Sequence, residues 1–131
     1  MPSDHISLTV PARGEFAKTV RMTAAVLAGR VDMSYDDVED VRMAAEEAFV
    51  YAVDTLPEGA DVRFDFTVGD GAIVIDVPLG AEESSPDPEA ERSAAYAVFI
   101  LESVCDEYEF KTGENGAHLR LVKRAGSGDA E

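Results

Sequence analysis

A chain of 131 residues, 46% of them hydrophobic, suits one folded domain with one core and excludes a disordered protein. Its 27 acidic residues outnumber 11 basic ones, and the formal net charge of −16 argues against nucleic acid as a partner, since phosphate recognition needs clustered Lys and Arg. No apolar run approaches the roughly 18 residues that span a membrane, the start Met1-Pro2-Ser3-Asp4-His5 lacks the basic and apolar regions of a signal peptide, and the single Cys105 rules out an internal disulfide.

These totals point to a cytoplasmic protein. The acidity favours solubility, and it would attract a basic protein surface. In chain order, Ile6, Leu8 and Val10 alternate with polar residues, the period of a half-buried strand that Pro11 ends. Phe16, Val20, Ala24, Leu27 and Val31 then recur at helical spacing, predicting a helix over about 14 to 30. Ser34-Tyr35-Asp36-Asp37 reads as a capping box with a shorter acid at its fourth position. Val38, Val41, Ala45, Ala48, Phe49, Ala52, Val53 and Leu56 form the apolar stripe of a second helix, stopped by Pro57-Glu58-Gly59.

Val62, Phe64, Phe66 and Val68 alternate, Gly69-Asp70-Gly71 turns, and Ile73, Val74, Ile75 and Val77 return as a hairpin. A polar loop over 80–88 leads to Asp87 as N-cap and Pro88 at the first position of a third helix, which buries Ala94, Ala97, Val98, Leu101 and Val104. Cys105 falls at its end and reads as a small core residue. Tyr108 and Phe110 start a strand, 113–116 turns, and Leu119 and Leu121 lie on the returning strand. The order β-α-α-β-β-α-β-β predicts an α/β two-layer sandwich, a mainly antiparallel sheet covered on one face by three helices. We expect one domain over 1–124 and a frayed polar tail over 125–131.

Several segments carry a closer likeness. Val10-Pro11-Ala12 precedes a helix with Arg21-Met22-Thr23. Ser34 to Ala44 reads Ser-Tyr-Asp-Asp-Val-Glu-Asp-Val-Arg-Met-Ala, Leu101 to Glu107 reads Leu-Glu-Ser-Val-Cys-Asp-Glu, and Leu121-Val122-Lys123 closes the last strand. In order and spacing these resemble the anti-sigma-factor serine kinases of bacteria, a family on the GHKL, or histidine-kinase-like, ATPase fold. The resemblance runs from about residue 6 to 124.

The resemblance implies a nucleotide site, and this chain departs from it at each motif. The family places an acid and an Asn four residues apart on one helix, the acid as base toward the attacking hydroxyl and the Asn as a ligand of Mg²⁺. The acid matches Glu47, but the Asn position is Tyr51, and a phenol with a pKa of about 10 is a poor Mg²⁺ ligand. Glu47 is then a vestigial base, and Glu46 beside it reads as a solvated helix charge. The family's adenine-binding Asp-x-Gly-x-Gly corresponds to Pro78-Leu79-Gly80-Ala81-Glu82, where only Gly80 survives and Glu82 opposes phosphate. Its Gly-rich phosphate loop corresponds to Ala94-Ala95-Tyr96-Ala97, helix formers that extend the third helix through it. A Thr of its last strand is replaced by His118. We expect a pocket closed by Tyr51, Tyr96 and a continuous third helix. His5 and His118 stand apart from any Cys/His cluster, so no metal site is expected.

The resemblance also implies that an arginine of the first helix contacts the sigma factor and the anti-anti-sigma antagonist, and Arg21 matches it. Arg suits such contacts through paired, planar hydrogen bonds to carboxylates. An exposed helix charge paired to a nearby acid is the other reading of Arg21. The expectation is an anti-sigma-like regulator that binds a sigma factor, an anti-anti-sigma protein or both, as a homodimer, without cofactor and without productive ATP turnover. Two alternatives stand beside it: an active serine kinase using ATP and Mg²⁺, and a non-catalytic module with partners outside transcription.

Overall fold

The chain condenses into the expected eight elements: strand β1 (Asp4–Pro11), helix α1 (Ala17–Ala28), helix α2 (Tyr35–Thr55), strands β2 (Asp61–Gly69) and β3 (Ala72–Pro78), helix α3 (Pro88–Val104), and strands β4 (Glu107–Gly113) and β5 (Gly116–Arg124). The computed structural model describes residues 3–79, 88–113 and 116–126, so Gly80, Glu82 and Asp87 lie outside the described residues. The first helix is shorter than its apolar period suggests. Single 3₁₀ turns, Gly14–Phe16 and Gly29–Val31, flank α1, and Asp32 ends the run in a left-handed conformation at φ 61°.

Helix α2 starts where the capping signal puts it. The Asp37 N–H donates to Ser34 Oγ at 3.1 Å, satisfying one of the unpaired donors of the first turn. The β2–β3 hairpin turns on Asp70 and Gly71, both at positive φ (54° and 69°), with Gly69 paired to Ala72. That is the type I′ geometry whose twist matches the strands.

Every strand pairing is antiparallel, in the order β1-β2-β3-β5-β4. Strand β5 therefore lies between β3 and β4, and α3 carries the chain from β3 to the far edge of the sheet. Alternate residues Val62, Phe64, Phe66, Val68, Ile73, Ile75, Val77, Leu119 and Leu121 are buried on one face. The helices meet them with smaller side chains: Val20, Ala24 and Ala28 from α1, Ala44, Ala45, Ala48 and Ala52 around Phe49 from α2, and Ala97, Leu101 and Val104 from α3. Short alanine side chains let three helices sit close to a sheet whose bulk comes from phenylalanine. Phe49 tilts against Phe64 at 6.4 Å between ring centroids, and Phe64 stacks with Phe66 at 5.8 Å.

The opposite face of the sheet is polar. Ser7 Oγ donates to Asp65 at 2.7 Å, Arg63 donates to the same carboxylate, and Arg120 reaches Asp76 at 3.3 Å. Lys123 instead points from β5 toward the helices, and its Nζ donates to Asp40 at 2.9 Å. Beyond β5, the Ala125 N–H donates to the Gly71 carbonyl and the Gly126 N–H to Asp37 Oδ2, so these first two residues of the expected tail are held to the body. Among the described residues, no helix is long and apolar enough to cross a membrane.

Candidate functional site

Glu47 and Tyr51 lie one turn apart on α2, as their spacing requires, and both are half-buried. Partial burial raises the Glu47 carboxyl above the usual carboxylate range, and the nearby charges of Glu46 and Asp54 raise it further. Burial likewise raises the Tyr51 phenol, so it stays neutral and protonated in ordinary buffers. The Tyr51 ring stands edge-on to Phe110 of β4, with centroids 5.6 Å apart and planes at 69°. This is a favourable aromatic geometry, so the ring is held there by packing.

Ala94, Ala95 and Ala97 all fall inside α3, which is continuous from Pro88 to Val104. Within a helix their N–H groups donate to carbonyls one turn back and are not presented to an anion. Ala97 is fully buried, Ala94 half-buried and Ala95 exposed. Tyr96 corrects an expectation. It is 60% exposed and faces solvent rather than closing a pocket, because a helix that buries Ala97 and Leu101 turns position 96 outward.

Pro78 and His118 are brought together from distant points in the chain. They are paired across β3 and β5, and with Asp65 and Asp76 they line a shallow cleft of about 240 Å³ on the polar side of the sheet. The side chains of that cleft offer a phosphate two carboxylates and no lysine or arginine. Gly80 lies outside the described residues.

Arg21 belongs to another element. It lies on α1 and crosses to α2, where its Nη1 donates to Glu46 Oε1 at 3.3 Å. Glu46, a helix charge whose side chain is still 42% exposed, is thus the nearby acid that the second reading of Arg21 expects. Spacing within α2 could not show this, because the partner comes from another helix. Lys123 was equally inconspicuous in sequence. It approaches both Asp40, at 2.9 Å, and Asp37, at 3.8 Å, and ties the last strand to the start of α2. Cys105 is shielded, and burial, against the opposing pull of Lys123, pushes its thiol up to about 12, so it is no nucleophile at neutral pH.

A family model described as "Histidine kinase-like ATPase domain" matches residues 10–123. The chain belongs to that family. Among curated relatives it is 28% identical over 133 residues to "Serine-protein kinase RsbW" of Halalkalibacterium halodurans, covering 90% of this chain and 82% of the relative. It is 26% identical over 137 residues to the protein of the same name from Oceanobacillus iheyensis, covering 92% and 86%. The fold matches "The crystal structure of the RsbU and RsbW domains of Rv1364c from Mycobacterium tuberculosis" with a TM-score of 0.71 at 18% identity, over 95% of this chain and 33% of that one. Within this histidine kinase-like ATPase domain, no group of three or more His, Cys, Asp or Glu among the described residues is placed to hold a metal ion. At the positions that the resemblance assigns to Mg²⁺ and phosphate stand a packed phenol and the interior of a helix, a poor Mg²⁺ ligand and N–H groups already bonded within the helix.

Proposed function

We propose that this chain is a regulatory binding protein of the anti-sigma type, engaging a sigma factor, an anti-anti-sigma protein or both, without productive ATP turnover and without a bound cofactor. The observation that carries this reading is Tyr51 packed against Phe110 at the position of the Mg²⁺ ligand. The relatives named serine-protein kinases and the resemblance of the Arg21 helix supply the partner class. In this reading Arg21 meets a carboxylate of the partner, and Pro78, Ala94, Ala95, Ala97 and His118 are former nucleotide positions now serving the fold. The protein acts in the cytoplasm as a homodimer, with neither nucleic acid nor membrane as partner.

Titration calorimetry with ATP and Mg²⁺, followed by incubation with an anti-anti-sigma protein and labelled ATP, tests the reading. We expect no saturable nucleotide binding and no phosphoserine. Capture of a sigma factor from a native extract by the wild-type chain, and weaker capture by Arg21→Ala, is the positive arm. Light scattering on the purified chain tests the homodimer.

One observation favours a second reading, an active serine kinase: burial and the charges of Glu46 and Asp54 raise the Glu47 carboxyl, the direction a general base calls for. Phosphate transfer that Glu47→Gln abolishes would establish it.

A further inference from the structure

Among the described residues, the outer surface of the helix layer carries most of the exposed large hydrophobic side chains. Eight large hydrophobic side chains stand out as exposed among the described residues, and six of them are here. They come in pairs spaced by whole turns: Met22 and Val26 on α1, Met43 and Val50 on α2, Tyr96 and Phe99 on α3. Of the other two, Tyr35 begins α2 and Phe110 is engaged by Tyr51 and Tyr108. The polar face of the sheet carries none of the eight, and its charges Arg63, Asp65, Asp76 and Arg120 satisfy one another.

On α2, the central helix of the layer, this apolar surface is set among carboxylates. The helix has seven acids and one base, Arg42. Its outward stripe runs Asp36, Glu39, Met43, Glu47, Val50, Asp54 at three- and four-residue spacing. Met43 is 46% exposed and Val50 41%. Arg42, the one base of α2, pairs with Glu39 at 3.5 Å, and Arg21 of α1 pairs with Glu46 at 3.3 Å. The charges of Glu46 and Asp54 add to burial in raising the Glu47 carboxyl, so carboxylates crowd the middle of the stripe.

We infer that the outward face of α1, α2 and α3, centred on Met43 and Val50, docks an amphipathic helix of a partner protein whose apolar side is flanked by lysines or arginines. A helix is the fitting shape because the apolar positions run along α2 and are bordered by two flanking helices, a surface that takes anchors at i, i+3 or i+4, and i+7. Basic flanks are required because each would meet a carboxylate of the stripe. A second copy of this chain is disfavoured, since two-fold pairing would set the acids of α2 against themselves. An anionic lipid surface is repelled for the same reason. Arg21 pairs with Glu46 beside this surface, but the test uses neither a sigma factor, nor ATP, nor an Arg21 variant, so the two readings fail independently.

The probe is a synthetic helical peptide of about 18 residues, leucine on one side and lysine on the other, with the charge-reversed glutamate peptide as its control. Binding is read by fluorescence anisotropy with the full chain and mapped by amide shifts. We expect saturable binding of the lysine peptide, with shifts on the outward positions of the three helices. Met43→Ser combined with Val50→Ser should weaken it about tenfold while the thermal melt is retained. Glu47→Gln should weaken it less and flatten its salt dependence. Thr67→Ala, on the polar face of the sheet, should leave it unchanged. The inference is overturned if the glutamate peptide binds as well, if the shifts fall on the sheet, or if the Met43/Val50 double variant keeps wild-type affinity. It is also overturned if that double variant instead abolishes self-association of the chain.

Discussion

Tyr51 of α2 meets Phe110 of β4 edge to face at 5.6 Å, joining the central helix to the edge strand of the sheet. One contact thus serves the fold at a position where the resemblance places a metal ligand.

Replacing that ring should cost stability without restoring a nucleotide site. Tyr51→Asn loses the aromatic pair and part of the apolar burial, so unfolding in urea should show a loss of about 1–3 kcal/mol. Calorimetry of this variant with ATP and Mg²⁺ should still show no binding, because Ala94 to Ala97 remain helical. Micromolar nucleotide binding by the variant would mean that the ring alone closes the site.

The Arg21–Glu46 pair separates stability from recognition. Its side chains are 27% and 42% exposed, so the pair is worth about 0.2–1 kcal/mol. Arg21→Ala should therefore barely move the thermal midpoint, while partner capture should fall about tenfold or more. An unchanged capture would assign Arg21 to the fold alone.

Lys123 makes stability depend on pH at both ends. Burial alone would lower its pKa, but the hydrogen bond to Asp40 and the charges of Asp40, Asp106 and Asp37 outweigh burial and raise it. Its contribution is fully present below the lysine value of the unfolded chain and is lost as pH rises through the higher folded value. Burial would raise Asp37, but the Gly126 N–H, Ser34 and Lys123 together hold it below its ordinary value. That contribution is present above the unfolded aspartate pKa and is lost as pH falls through the lower folded one. Lys123→Met should lower stability by about 1–3 kcal/mol at pH 7 and flatten the alkaline side of the unfolding profile.

Glu47 has the opposite sign from Asp37. Its folded pKa is raised, so the protonated form is favoured by folding, and that advantage is lost as pH rises through the folded value. Glu47→Gln should therefore be more stable than the wild type at pH 7. The gap should close as pH falls below the ordinary glutamate pKa, as thermal melts across pH 4 to 8 would show. A gap independent of pH would place the effect outside the carboxylate charge.

The order of elements, the buried faces of the strands, the Ser34 cap and the Asp70-Gly71 turn are all legible in sequence, because each depends on side-chain period or on backbone preferences spanning a few residues. The interruption of α3 expected from a phosphate loop is absent for the same local reason, four helix-compatible residues in a row at 94–97. Period alone assigns a residue to a face and says nothing of which residue it meets there. That β5 enters between β3 and β4, that Pro78 meets His118, that Arg21 pairs with Glu46, and that Lys123 reaches back to Asp40 were decided by tertiary packing. Each joins residues at least 25 apart, and such pairings are chosen by whole-core burial. The outward apolar pairs of the three helices belong to both levels: their spacing is written in the sequence, and their convergence on one surface exists only once the helices lie side by side on the sheet.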